Sequence, residues 1–391
     1  MPENKQFTYP SYLRGKKVLV MGLGLHGGGV GTIKFLIKAG AEVTVTDLRD
    51  ENTLASSLEQ LKELNIKYVL GEHHKVDFQT ADLVVKGPGV RPNSEFLQEA
   101  RNSKVAITSD IGIFFKECPA KIIGITGTRG KSTTAHLLWI FLKTKYPKVY
   151  LAGNIRKSVL ELLPEIKKDD WVILELSSFQ LRDLLEYDND DAMYGKPEIA
   201  VLTNIYEDHL NWHKDLEDYK QAKTAIFKFQ NQNNHLFVNP EDQQTEELVK
   251  DAKAKIIKPI LPHNLRDTAE KILGQYYLPS VSLAYGVANF LGVGEKEIKK
   301  ELVNFTGLEG RQEKLPDING IHFINDTTST MPDATIAAIE RFKIKAGESK
   351  LILIAGGQDK NLSYQKLAEM LKSSVGVLIL LPGTATEKIK K

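Results

Sequence analysis

Cysteine occurs once in 391 residues, at Cys118. One thiol excludes an internal disulfide framework and suits a reducing compartment. In Glu117-Cys118-Pro119 it reads as a passive thiol where two segments join. Charge of one sign is equally scarce, since 52 basic and 50 acidic residues leave a net +2. A dedicated nucleic-acid binder shows a marked basic excess, so that class is set aside. No stretch approaches the ~20 apolar residues that span a bilayer. The opening MPENKQFTYP holds no apolar signal core. No repeat or low-complexity tract is evident. A soluble cytoplasmic protein without nucleic-acid or membrane partners is expected. The length exceeds one ordinary core, so two or three domains are expected.

What the chain does contain is concentrated at residues 124–134, Gly-Ile-Thr-Gly-Thr-Arg-Gly-Lys-Ser-Thr-Thr. Lys121-Ile122-Ile123 before it reads as a buried strand, and residues 135–142 after it as a helix. A glycine-rich turn between strand and helix gathers free backbone N–H groups and the positive end of the helix dipole, which together bind phosphate. Lys131 then reaches the outer phosphates, and the Ser132 or Thr133 hydroxyl holds Mg²⁺. The first glycine of the G-x-x-x-x-G-K-[ST] pattern is replaced by Ile125, so this is a variant P-loop.

Three segments each open on an apolar strand and a glycine-rich turn. The first pairs Val18–Gly24 with a helix near residues 29–39 and a strand at Glu42–Asp47, a βαβ unit. Apolar runs at Lys67–Leu70 and 81–86 extend its sheet. The second runs from Lys121 to about Gly307, with strands near residues 149–152, 171–175, 199–203 and 235–238. Leu216, Tyr219, Ala222, Ile226 and Phe229 recur at helical spacing over residues 215–229. The third starts near Arg311. It is expected to place strands ending at Asn325, at 351–355 and at 375–381 in a thin doubly wound sheet, and it ends in a lysine-rich tail.

Several strand ends carry candidate chemistry. Gly22-Leu23-Gly24-Leu25-His26-Gly27, with Asp47 ending the next strand, fits a dinucleotide fingerprint. The same amides would serve any nucleotide diphosphate, so NAD and a UDP-type ligand both remain open. Glu175, at the end of a strand and ahead of Ser177, is a natural second handle for Mg²⁺. Thr203–Leu210 ends another strand with the Asp208-His209 pair, where ligands gather in open α/β sheets. His209 can ligate a metal through one nitrogen, with Asp208 or a carbonyl on the other. Lys223, read by periodicity alone, is one lysine on the solvated face of an amphipathic helix.

Taken together these motifs resemble the Mur ligase family, over nearly the whole chain. The carriers are Gly127-Thr128-Arg129-Gly130-Lys131-Ser132-Thr133-Thr134, Glu175–Leu181, Thr203–Leu210 with Tyr219–Phe227, and residues 323–338. Asn325-Asp326-Thr327 and Gly356-Gly357-Gln358-Asp359-Lys360 favour the members that add D-glutamate. The resemblance implies an α/β chain of three domains. These are a Rossmann-like UDP-sugar domain (1–119), a central P-loop ATPase-type domain with a mixed sheet (120–309), and a doubly wound Rossmann-like ligase domain that is shortened (310–391). It implies ATP-dependent joining of D-glutamate to UDP-N-acetylmuramoyl-L-alanine through an acyl phosphate, in peptidoglycan synthesis, by a monomer. Gly127, Thr128, Gly130, Lys131, Ser132 and Thr133, with Arg311 and Asp326, would bind ATP. Glu175 and Ser132 would serve one Mg²⁺ and His209 the second. Lys223 would carry a CO₂-derived carbamate, which turns a cation into a metal-binding anion and overturns the solvated-face reading. Gly24, Leu25, His26, Asp47, Arg49 and Gly87 would hold the UDP-sugar, which displaces NAD. Asn154 and Ser177 would face the acceptor, and Thr330 and Lys360 the D-glutamate.

The chain also departs from the family pattern. Gly310-Arg311 stands where the family writes His-Arg, and Thr328 where it writes lysine. The adenine-contacting motif has no clean counterpart; Gly274–Ser280 fits best by distance, with Tyr276 or Tyr277 available to stack on the base. Family members continue further at the C-terminus with a serine and an aromatic that help hold D-glutamate, so weaker D-glutamate binding and exposed sheet edge are expected. The alternatives are another ligase of the same superfamily and a non-catalytic UDP-sugar and ATP binder.

Overall fold

The computed structural model describes residues 7–25, 27–154, 158–187, 196–210, 212–343, 350–359 and 362–390. The chain divides into two compact units, Met1–Leu261 with Pro279–Ile298, and Pro262–Leu278 with Lys299–Lys391. The first unit contains both large sheets.

The first sheet is built from β1 (Lys17–Met21), β2 (Glu42–Asp47), β3 (Lys67–Leu70), β4 (Leu83–Lys86) and β5 (Ala106–Ser109). Its order is β3-β2-β1-β4-β5 and every pairing is parallel. Helices α1 (Gly28–Lys38), α2 (Glu51–Glu59), α3 (Lys75–Thr80), α4 (Glu95–Asn102) and α5 (Asp110–Glu117) follow its strands. Strands covered on both faces read as continuous apolar runs, and Val18 to Met21 is buried throughout. The order reverses at β1, between β2 and β4, so the loops after β1 and β4 border the crevice where open α/β sheets bind ligands.

The second sheet holds β6 (Lys121–Thr126), β7 (Val149–Gly153), β8 (Trp171–Glu175), β9 (Ile199–Leu202), β10 (His235–Val238) and β11 (Lys255–Ile257), in the order β11-β10-β9-β6-β8-β7. All its pairings are parallel, where a mixed sheet was expected. Helices intervene between most of its successive strands, namely α6 (Lys131–Lys143), α7 (Ser178–Tyr187), α8 (Leu216–Lys228) and α9 (Gln243–Leu248). Helical crossovers return each strand in the same direction. Here β6 is the switch strand, so the ends of β6, β8 and β9 converge. One apolar cluster, from Leu13 through Val45, Phe114, Leu174 and Phe227 to Ala254, supports both sheets.

Helices α10 (His263–Leu273), α11 (Leu278–Phe290) and α12 (Glu295–Asn304) follow. The second unit then carries β12 (Glu313–Lys314), β13 (Ile324–Asn325), α13 (Pro332–Phe342), β14 (Ile352–Gly356), α14 (Gln365–Ser374), β15 (Val377–Leu381) and α15 (Thr384–Lys390). Among the described residues of this unit, β14 and β15 pair as a parallel sheet. The strand ending at Asn325 was expected in that sheet, but it pairs antiparallel with β12. The reason is local. Asn319 and Gly320 both take positive φ, 52° and 78°, and Ile318 bridges to Ile321. Asn-Gly in that conformation turns the chain back on itself as a hairpin. The lysine-rich tail forms α15. Among the described residues no helix is long and apolar enough to cross a membrane.

Candidate active site

The P-loop occupies the turn from β6 to α6. Gly127 takes φ 145°, and a Cβ there would lie 1.9 Å from Thr203 Oγ1 and 3.0 Å from the Asn204 backbone nitrogen. The loop is fixed to the end of β9. Thr128 N donates to Asn204 O at 2.9 Å, Arg129 N to Asn204 Oδ1 at 2.8 Å, and Tyr206 N to Thr128 Oγ1 at 2.9 Å. Gly130, at φ 78°, caps α6, so the first-turn amides beside Lys131, Ser132 and Thr133 face the loop. Lys131 Nζ donates to Gly127 O at 3.1 Å and Thr128 O at 3.0 Å.

Lys223 is not solvated. It is 1% exposed, and its Nζ donates to Gly127 O at 2.8 Å and lies 4.6 Å from the centre of the Tyr219 ring. Tyr219 stands four residues earlier, one turn along the same face of α8, and its hydroxyl meets Thr128 Oγ1 at 3.0 Å. Asp215 caps α8 by accepting from Asp218 N at 2.8 Å. Burial, followed by the neighbouring Lys131 cation, holds the Lys223 amine well below its ordinary value; Asp208 and Glu175 pull the other way. Burial thus favours the neutral form of the amine, and a neutral amine is nucleophilic.

Glu175 ends β8 at 3% exposure, and its Oε2 is buried without a hydrogen-bond partner. Its backbone oxygen accepts from Asn154 N at 2.8 Å, which sets Asn154 beside it. Gly153 makes that approach possible, because a Cβ there would lie 2.1 Å from Glu175 O. Ser177 N and Oγ both donate to Gln180 Oε1 at 3.0 Å, closing the first turn of α7. His209 takes positive φ, 56°; its Nε2 stands 3.6 Å from Asp208 Oδ2 and its ring packs edge-on against Phe179. Lys131, Glu175, Lys223 and Asp208 thus share one electrostatic neighbourhood, to which Asp208 joins His209.

In the first sheet, Asp47 is 4% exposed. Its Oδ2 accepts from Leu23 N at 2.9 Å and Gly24 N at 3.3 Å, and its Oδ1 from Arg49 N at 3.0 Å. Its carboxylate shapes the loop after β1 and anchors Arg49, which reaches it through Nη1 at 3.4 Å. Leu25 is exposed, and Gly87 N donates to Met21 O at 2.8 Å, bringing the loops after β1 and β4 together. His26 lies outside the described residues. Cys118 is a half-buried thiol pushed up to about 11 by burial, which leaves it inert.

Arg311, Asp326 and Thr330 belong to the second unit. Asp326 Oδ1 accepts from Gln312 N at 2.9 Å; burial pushes its carboxyl up, against the field of Arg311. Tyr277 is interior at 9% exposure, pushed up to about 12 by burial, while Tyr276 is 39% exposed and packs edge-on against the Tyr277 ring at 5.2 Å. Lys360 lies outside the described residues.

The Mur ligase middle domain matches residues 125–290, and the MurD-like N-terminal domain of Mur ligases matches residues 16–109. A UDP-N-acetylmuramoylalanine–D-glutamate ligase of Roseiflexus sp. (strain RS-1) is 37% identical over 97% of this chain and 86% of its own length. The chain belongs to the Mur ligase family. The ligase of the same name from Acetivibrio thermocellus is 35% identical over 97% of this chain and 82% of its own. Among solved structures, the UDP-N-acetylmuramate–alanine ligase MurC of Thermotoga maritima superposes with TM-score 0.58 at 18% identity, over 96% of this chain and 87% of that one. MurF of Thermotoga maritima, solved with ADP, gives 0.55 at 17%, over 100% and 87%. These structures share the multi-domain Rossmann-like fold.

In this Mur ligase, no group of three or more His, Cys, Asp or Glu is gathered for a metal among the described residues. A cation at the P-loop therefore needs mixed donors, and the unsatisfied Oε2 of Glu175, at the end of the strand paired with β6, fits that need. Sequence reasoning missed His213. It is 3% exposed, with Nδ1 3.1 Å from Asp218 Oδ2 and Nε2 2.9 Å from Ser178 Oγ. Its ring stacks on Phe179 and meets Tyr219 edge-on, so it ties the start of α7 to α8. The only available signal was its place between Trp212 and the Asp215 cap.

Proposed function

We propose that this chain is an ATP-dependent ligase that joins D-glutamate to UDP-N-acetylmuramoyl-L-alanine in the cytoplasm, as a monomer. The observation that carries this reading is one point in the fold where the P-loop lysine, a buried carboxylate with an unsatisfied oxygen and a second, buried lysine meet. The relatives of known specificity supply the amino acid. In the first step an oxygen of the L-alanyl carboxylate attacks the γ-phosphorus of ATP, ADP leaves, and an acyl phosphate forms. In the second the D-glutamate nitrogen attacks the acyl carbon, phosphate leaves, the nitrogen loses a proton, and the amide is complete. Both steps gather negative charge, so most of the catalysis is positioning and charge neutralisation.

The P-loop amides and Lys131 hold the phosphates, with Gly127, Thr128, Gly130 and Thr133 shaping the cradle. Ser132 and Glu175 would hold one Mg²⁺ and His209 a second, with a carbamylated Lys223 as a further metal-binding anion, and the ions would supply charge neutralisation. Carbamylation forms a bond from the Lys223 nitrogen to the carbon of CO₂ and releases one proton from nitrogen, so it needs the neutral amine, the form that burial favours. Asn154 and Ser177 face the acceptor. Gly24, Leu25, His26, Asp47, Arg49 and Gly87 serve the UDP-sugar. By resemblance alone we assign Arg311 and Asp326 to ATP, Thr330 and Lys360 to D-glutamate, and the division 1–119, 120–309 and 310–391 to the three functions.

The test is phosphate release with UDP-N-acetylmuramoyl-L-alanine, ATP and Mg²⁺. Release is expected only when D-glutamate is added, and not with glycine, L-lysine or L-glutamate. Nucleotide binding without turnover for any amino acid would overturn the reading in favour of a non-catalytic binder.

A further inference from the structure

Two buried charges lie outside the site described above. Lys86 ends β4, one residue before Gly87. Its side chain is wholly buried, its Nζ donates to Gly87 O at 3.3 Å, and the same Nζ stands 2.7 Å from Asp183 Oδ1 on α7. Asp183 is itself 1% exposed. Burial pushes its carboxyl up to about 7 against the pull of Lys86, and Asp110 at the start of α5 and Glu186 on α7 are the further charged groups that act on it. A buried ion pair is a weak source of stability, because desolvation offsets the attraction. What this pair joins is more informative. Helix α7 begins three residues after Glu175. On one flank it meets the first sheet through Lys86–Asp183 and through Arg101 of α4, whose Nη2 lies 3.3 Å from Glu186 Oε2. On the other it meets α8, the helix of Lys223, through Arg182–Asp218 at 3.0 Å and Ser178–His213 at 2.9 Å.

We propose that Lys86 is a positioning residue for the UDP-sugar substrate. Paired with Asp183, it holds the Gly87-Pro88-Gly89 loop in fixed register with α7, so that a substrate anchored on that loop presents its carboxylate at Glu175 and Lys223. This rests on the reading of the Gly87 loop as part of the UDP-sugar site.

Steady-state kinetics on Lys86→Met, the double variant Lys86→Met/Asp183→Leu, and Arg49→Ala test it. Lys86→Met raises KM for UDP-N-acetylmuramoyl-L-alanine about tenfold and leaves KM for ATP within about twofold. It also unfolds more readily, because Asp183 is left buried and unpaired. The double variant leaves no charge buried alone in the pair and recovers its thermal midpoint, yet keeps the raised KM; should Lys86→Met fail to fold, the double variant carries the test. A normal KM in the double variant overturns the proposal, since the pair is then structural only. If Arg49→Ala raises this KM and neither Lys86 variant does, the proposal fails while the UDP-sugar reading stands. If none of the three moves it, the reading of these loops fails and the proposal with it.

Discussion

Lys223 shows what a single residue costs and provides. Its amine is held well below the ordinary lysine value by burial and by Lys131. Between the folded and ordinary values the unfolded chain binds a proton that the folded chain lacks, so stability rises with pH across that window and falls as pH drops through it. Lys223→Met removes this slope. In CO₂-depleted buffer the variant is expected to be more stable than the parent, with the gap narrowing as pH rises. The urea midpoint of tryptophan fluorescence, which follows the unit that holds Lys223, reads this at pH 7 and pH 9, and an equal difference between variant and parent at both would refute the burial cost. The same residue is expected to be essential for turnover. Lys223→Ala should lose nearly all phosphate release and regain part of it when a short-chain carboxylate is supplied; full activity without rescue removes the carbamate from the mechanism. Periodicity placed Lys223 on a solvated helix face because it counts apolar side chains. It cannot see that Tyr219, one turn earlier, and the Gly127 carbonyl cover the amine. The sequence singled out Glu175 and His209 as candidates because one ends a strand and the other lies in the loop after one, where open α/β sheets gather ligands. Asp47 stood out as a candidate at the end of β2, but its bonds to Leu23, Gly24 and Arg49 did not, since they depend on the path of a loop.

At the scale of elements, the long apolar strands were read closely. β2, β3, β8 and β10 lie where hydrophobic runs bounded by turn residues put them, because parallel strands covered on both faces leave a strong pattern. β5 was missed, as Ala106-Ile107-Thr108-Ser109 is short and only Ile107 is strongly apolar. α7 was not anticipated, because Glu175–Leu181 was read as a site motif after a strand, whereas Ser177 closes the first turn of a helix there. The turn from β6 to α6 carries the sharpest prediction at this scale. Gly127→Ala meets a φ that L-residues avoid, a side-chain oxygen 1.9 Å away and a backbone nitrogen 3.0 Å away, and the latter cannot rotate aside. The strain is about 1–3 kcal/mol, and it separates the loop from the Thr203–Tyr206 segment that fixes it. ATP affinity measured by calorimetry should fall at least about tenfold, while far-UV circular dichroism stays that of the parent. Unchanged affinity would mean that the loop tolerates a second backbone path.

The whole molecule is two compact units with very different interiors. The first is filled by an apolar cluster that runs beneath two parallel sheets. In the second, Ile339, Leu367 and Leu371 form the buried centre, while Ile352, Ile354, Ile379 and Leu381 of its two-stranded sheet are 46–62% exposed. Stability scales with apolar area removed from water, so the second unit has the smaller reserve. Two-state unfolding is a property of single domains and is not expected of this chain. The tryptophans allow the two units to be told apart: Trp139, Trp171 and Trp212 all lie in the first unit. Tryptophan fluorescence therefore reports the first unit alone, whereas far-UV circular dichroism reports both. In a urea titration the dichroism signal should begin to fall at lower denaturant, with the fluorescence transition following as a separate, later step. Adding ATP and Mg²⁺ should move the fluorescence midpoint upward, because the P-loop that binds them belongs to the first unit and ligand binding to the folded form adds to its stability. Superimposable transitions by both probes would show that the second unit does not unfold independently, and would make its exposed strands part of a single cooperative structure.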